Sequence, residues 1–65
     1  MFRAYERWRH KNTLDIDLEV IKVQYRNKDY IKMKVNIVDR NLPGYYESNY
    51  LAKIYKKDFW LWKKV

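Results

Sequence analysis

Leu14-Asp15-Ile16-Asp17-Leu18-Glu19-Val20-Ile21-Lys22-Val23-Gln24-Tyr25-Arg26 is the stretch that decides the fold class. Leu14, Ile16, Leu18 and Val20 alternate with Asp15, Asp17 and Glu19, the period of a half-buried strand with an acidic outer face. Val20 and Ile21 are then adjacent, and the alternation changes phase: Ile21, Val23 and Tyr25 against Lys22, Gln24 and Arg26. A one-residue slip turns every later side chain to the opposite face. The sequence therefore predicts a β-bulge or sharp bend at Val20–Ile21, the kind of bend that lets a small sheet curl closed.

Asn27-Lys28-Asp29 is a polar turn, and Tyr30 to Val38 alternates again. Ile31, Met33, Val35 and Ile37 form one face; Tyr30, Lys32, Lys34 and Asn36 form the other. Setting Arg26 opposite Tyr30 pairs Tyr25 with Ile31, Val23 with Met33 and Ile21 with Val35, apolar on apolar. The same register sets Lys22 opposite Lys34 and Gln24 opposite Lys32. Like charges facing each other are mildly destabilising, so a chain that keeps them has a use for them.

Outward from this hairpin, Asp39-Arg40-Asn41 is a turn and Leu42-Pro43-Gly44-Tyr45 suits a type II turn. Residues 45–57 fit a helix or a strand, because Leu51, Ile54 and Tyr55 have helical spacing while Tyr50, Ala52 and Ile54 alternate. Phe59 to Val65 reads as a final strand or an ordered tail. Phe2 to His10 reads as the first strand, with Phe2, Ala4 and Trp8 on one side and Arg3, Tyr5, Arg7 and Arg9 on the other. Those arginines would face the acidic Asp15, Asp17 and Glu19.

With 65 residues the chain makes a single domain, 1–65, with 55–65 as a C-terminal extension. A domain this short buries only about 60% of its unfolded surface, so its aromatic and β-branched residues must supply the core. It has no cysteine, which excludes disulfides and thiolate metal sites and is compatible with a reducing cytoplasm. The N-terminus has no long apolar stretch, against a signal peptide. No run reaches the roughly 18 apolar residues of a membrane span, and the expected location is cytoplasmic. Fifteen basic against eight acidic residues give a net charge of +7, which favours anionic partners.

The stretch Gly44-Tyr45-Tyr46-Glu47-Ser48-Asn49-Tyr50-Leu51 resembles the Gly-aromatic-x-Pro-Ser-Asn-Tyr-Val ending of Src-homology-3 domains. Asn27-Lys28-Asp29-Tyr30-Ile31-Lys32 resembles that family's paired-tryptophan segment, Glu19-Val20-Ile21-Lys22-Val23 its Gly-Asp-hydrophobic-hydrophobic strand, and Arg3-Ala4-Tyr5 the start of its Ala-Leu-Tyr-Asp-Tyr motif. The likeness covers residues 3–54. It implies an all-β, Src-homology-3-like antiparallel β-barrel with a short 3₁₀ turn near residues 48–50, a short strand at 51–54, and an extra C-terminal strand or tail. Three departures speak against the family's proline-rich ligands. Tyr30 stands at the groove tryptophan, Glu47 stands at the motif proline, and Arg7-Trp8-Arg9-His10-Lys11 is basic where the family is acidic.

The chain holds one His, one Ser and one Thr, too few partners for a nucleophile, base and stabiliser. His10 lies among arginines and lysine and reads as a surface imidazole. Asp15, Asp17 and Glu19 read as a solvated or arginine-paired face rather than a calcium site. Neither catalysis nor a cofactor is expected. Two binding surfaces remain. A protein-interaction surface would use Tyr5, Trp8, Tyr30, Tyr46 and Tyr50 against an acidic protein or peptide, although several of these rings are also candidates for the core. A nucleic-acid surface for DNA or RNA would use Lys22, Arg26, Lys32 and Lys34 with Tyr30 for stacking. Phe59-Trp60-Leu61-Trp62 between lysines suits a membrane interface, but a final strand is the favoured reading and a membrane partner is not expected. Small basic proteins of this kind also occur as phage or plasmid inhibitors of host machinery.

Overall fold

The alternating stretches of 16–39 become two long paired strands, and the shorter apolar runs around them complete an all-β chain. In the computed structural model, which describes residues 1–13, 15–42 and 48–65, the strands are β1 (Arg7–His10), β2 (Ile16–Arg26), β3 (Tyr30–Asp39), β4 (Tyr50–Tyr55) and β5 (Trp62–Lys64). They form one antiparallel sheet in the order β4-β3-β2-β1-β5, and a 3₁₀ helix, Lys56–Leu61, links β4 to β5. The sequence predicts closure, but the described sheet is open, with β4 and β5 as its edges.

The bulge stands where the phase change puts it. Val20 pairs with Val35 and Lys22 with Lys34, so Ile21 is the extra residue. Val23 meets Met33, as read from the sequence, but a second irregularity lies between Val23 and Tyr25. Beyond it Tyr25 pairs with Lys32 and Arg26 with Ile31. The expected Tyr25–Ile31, Ile21–Val35, Gln24–Lys32 and Arg26–Tyr30 pairs are therefore corrected. Alternation in sequence shows one slip; the second, at Gln24, hides in a stretch that alternates perfectly.

The inner face carries Leu18, Val20, Ile31, Met33, Val35 and Ile54, all buried. An open sheet needs a cover for that face, and the two chain ends provide it. Phe2 is fully buried and packs on Trp8 (ring centroids 4.5 Å), Phe59 (5.2 Å) and Trp62 (6.2 Å). Phe2 is not in a strand, contrary to the reading of 2–10 as one strand. Its φ is 58° and that of Tyr5 is 70°, so the arm bends back before β1 begins at Arg7. Such φ values are outliers for aromatic residues, and they are held by bonds to the arm. Arg26 donates from its two terminal nitrogens to the carbonyls of Met1 (2.9 Å) and Phe2 (2.7 Å), and the Tyr5 N–H donates to the Val20 carbonyl (2.7 Å).

The Ser48–Tyr50 stretch forms no 3₁₀ turn, because β3 already claims its backbone. The Asn36 side-chain oxygen accepts from the N–H groups of Ser48 (3.1 Å) and Asn49 (3.2 Å), and the Ile37 N–H donates to the Ser48 hydroxyl (2.7 Å). Tyr50 then enters β4 directly, and the 3₁₀ helix comes later, at 56–61. Residues 62–64 extend the sheet beside β1. Truncating a buried phenylalanine costs about 3–5 kcal/mol, comparable to the whole stability of a domain this size, roughly 3–10 kcal/mol. Phe2→Ala should therefore lower the urea midpoint sharply or unfold the chain. Trp60→Ala, at a ring 67% exposed, should leave it nearly unchanged.

Candidate functional site

The two extra residues of β2 decide what reaches the outer face. Without the bulge at Ile21, Val20 and Lys22 would share a side; with it, Val20 points into the core and Lys22 outward beside Lys34. The irregularity at Gln24 repeats the effect. Val23 faces inward, and Tyr25 emerges on the outer face opposite Lys32. Register across β2, β3 and β4 then lays out three rows: Lys22–Lys34–Leu51, Tyr25–Lys32–Lys53 and Tyr30–Tyr55.

The tyrosines form a strip. Tyr30 is central, 6.0 Å from the Tyr25 ring and 5.7 Å from the Tyr55 ring, both tilted or edge-on. The Lys53 ammonium stands 4.1 Å above the Tyr30 ring centroid and 5.2 Å from that of Tyr55, a cation–π geometry. Its pKa is raised above the ordinary lysine value, first by hydrogen bonding to Tyr55 and then by the charges of Tyr55 and Tyr30. Tyr25 and Tyr55 remain 53% and 41% exposed. Beside the strip, Lys28, Asp29, Tyr30, Tyr55, Lys56 and Lys57 line an open cleft of ≈ 360 Å³.

Of the expected nucleic-acid residues, Lys22, Tyr30, Lys32 and Lys34 come together on this face. Arg26 does not: the second irregularity turns it to the other side, where it clamps the N-terminal arm. Sequence reasoning misses Tyr25, Lys53 and Tyr55. Lys53 and Tyr55 alternate with Ile54 and are legible once 50–55 is taken as a strand; Tyr25 pairs inward in the uninterrupted register.

The expected protein-interaction set disperses. Trp8 is 8% exposed, a core residue, and its indole N–H donates to Glu6 (3.3 Å). Tyr30 belongs to the lysine face. Tyr5 and Tyr50 are exposed, and among the described residues neither packs on another ring. Tyr46, with the Gly44–Glu47 part of the family-like motif, lies outside the described residues. Phe59 and Trp62 pack against the core, as a final structured segment would, while Trp60 stays exposed. Among the described residues no helix is long and apolar enough to cross a membrane.

The acidic side of β2 is arginine-paired, one of the two states expected of it, and it is more deeply buried than an exposed pair. Asp17 is fully buried, and Arg9, its β1 partner, grips it bidentately: Nε to Oδ1 at 2.8 Å and a terminal nitrogen to Oδ2 at 3.1 Å. That hydrogen bonding, followed by the charges of Arg9, Arg40 and Arg7, holds the Asp17 carboxyl below its usual range against the opposing effect of burial. A carboxylate so committed is unavailable to calcium. His10 rests edge-on against Trp62 (4.9 Å).

No family model, curated protein or solved structure matches the chain.

The Glu6 side chain joins the arm to β1 and β5. It accepts the Arg3 N–H (2.7 Å) and the Trp8 indole, and pairs with Lys64 of β5 (3.0 Å). The Arg3 bond first, then Lys64, lower its pKa from 4.5 to about 2. A depressed folded pKa gives stability that is present above the unfolded value and lost as pH falls toward the folded one. The thermal midpoint should therefore drop between about pH 4.5 and about pH 2, with Asp17 adding a loss of the same sign. Glu6→Gln should show a shallower drop; an equal slope would mean that these bonds do not couple to folding.

Proposed function

We propose that this protein is a non-catalytic module that binds single-stranded nucleic acid along the outer face of β2, β3 and β4, without reading its sequence. The observation that carries the reading is the alternation of lysine and tyrosine rows on one exposed surface. Phosphates are met by dispersed cations and bases by aromatic faces that tolerate any sequence. Lys22 opposite Lys34 and Lys32 opposite Lys53 are repulsive pairs in the free protein, and a polyanion relieves that repulsion. Three strands at about 4.8 Å spacing offer a platform about 10 Å wide, suited to one strand with splayed bases rather than to a duplex groove.

An acidic protein partner is the competing reading. Its proposed contacts do not form one patch, since Trp8 is buried and Tyr5 and Tyr50 stand apart from the tyrosine strip. For the fold, we read the sheet as a flattened relative of the small Src-homology-3-like barrel. The short strand implied for 51–54 is β4, the 3₁₀ turn implied before it follows it at 56–61, and a further short strand at 62–64 joins the first. The 3₁₀ turn of the likeness is therefore displaced along the chain, while the pairing of the last strand with the first supports the reading.

The test is fluorescence anisotropy with labelled oligo(dT) and oligo(U) at several salt concentrations. Lys32→Ala and Lys53→Ala should each weaken binding and reduce the log–log salt slope by about 0.7. Tyr25→Ala, at an exposed ring, should cost about 1–3 kcal/mol of affinity if it stacks a base. A folded protein with no oligonucleotide binding at low salt would overturn the reading. Capture of an acidic protein that depends on the same lysines would then replace it.

A further inference from the structure

We propose that Arg7 and Arg40 form a second anion site, one that takes a phosphate group, on the outer face around buried Asp17. The inference rests on the nucleic-acid reading only for the source of the phosphate. Three guanidinium groups converge on one carboxylate. Arg9 Nε lies 2.8 Å from Asp17 Oδ1, Arg7 Nε 3.2 Å from Oδ2 and Arg40 Nε 3.6 Å from Oδ1. A buried carboxylate needs a partner with good geometry, and the fork of Arg9 supplies it alone, using both oxygens.

The other two arginines exceed what Asp17 requires. Arg7 Nε is buried and makes no hydrogen bond despite its proximity, and Arg40 stands beyond hydrogen-bond reach. Among the described residues neither side chain donates a hydrogen bond elsewhere. Three guanidinium groups therefore stand around the one buried carboxylate. Glu19, opposite Arg7, and Asp15, whose carbonyl takes the Arg40 N–H (2.8 Å), are the competing acidic residues by register, and Lys63, opposite Arg9, adds a cation on the same side. The two spare side chains are 42% and 31% exposed, open to a ligand on one side and fixed by Asp17 on the other. Guanidinium donors held in place in this way match the oxygens of a phosphate. They sit on the lysine-bearing face at the end of the β2–β3 pair away from the tyrosine strip, six β3 positions and about 20 Å along the strands from the Tyr25–Lys32 pair, so a strand that runs from the tyrosines past Lys22 and Lys34 reaches them as a second phosphate contact.

The experiment titrates inorganic phosphate into the ¹⁵N-labelled full chain and follows the arginine Nε–Hε resonances, with chloride at matched ionic strength as control. The expected result is a saturable shift of Arg7 and Arg40, none at Arg9, and loss of the Arg7 shift in Arg40→Gln with the backbone spectrum retained. Absence of a saturable shift, or the same shift with chloride, overturns the site whether or not oligonucleotides bind. A second arm measures oligo(dT) affinity of Arg40→Gln against salt. A slope reduced by about 0.7 identifies a backbone phosphate as the ligand, and an unchanged slope with intact phosphate shifts identifies a free phosphate or a phosphorylated small molecule. If oligonucleotides fail to bind while phosphate shifts Arg7 and Arg40, the strand-binding reading falls and the arginine site stands.

Discussion

The structure depends on β2 carrying two more residues than the stretch of β3 it pairs with. Between the Val20–Val35 pair and the Arg26–Ile31 pair, β2 advances six residues while β3 advances four. Each surplus residue reverses the facing of the strand beyond it. Val20 and Val23 both point inward, Lys22 and Tyr25 both point outward, and Arg26 returns to the inner side. A regular strand could do none of this, because a strict period of two would bury a lysine or expose a valine.

The same local reversals link the outer surface to the closure of the core. Arg26 reaches the inner side only because of the second irregularity, and there it holds the carbonyls of Met1 and Phe2. Phe2 in turn is the ring on which Trp8, Phe59 and Trp62 gather. An open sheet of this length leaves one apolar face uncovered, and the bent N-terminal arm with the 3₁₀ helix covers it. Two aromatic residues at positive φ are local costs of about 1–3 kcal/mol each. Burial of Phe2 and the bonds of Glu6 and Arg26 offset them.

On the other face the protein maintains charge arrangements that are unfavourable by themselves. Lysine faces lysine twice on this surface. A net charge of +7 keeps a small domain soluble wherever the charges lie. Concentrating them in register on a surface that also carries a tyrosine strip is a narrower arrangement, and that coincidence supports a surface built for a polyanion.

The residue pattern by itself determined the class of fold, the long β2–β3 hairpin, the bulge at Val20–Ile21 and the outward lysines 22, 32 and 34. Each is written in local alternation, and local alternation comes from a strand having one wet and one dry face. Only the tertiary structure decided the rest. The slip at Gln24 leaves no mark in the alternation, so Tyr25 and Arg26 exchange the faces expected of them. Phe2 reads as one more strand residue until the distant Phe59 and Trp62 supply its pocket. Asp17 reads as an exposed acid facing the β1 arginines, and its full burial follows only when Arg40 arrives from the turn after β3 to join Arg7 and Arg9. The Ser48–Tyr50 stretch stays open between helix and strand in its own pattern, and the turn the resemblance implies there gives way once Asn36 claims the N–H groups of Ser48 and Asn49. In each case a partner far along the chain overrode the local preference, because burial and hydrogen bonding are satisfied in space and not in sequence.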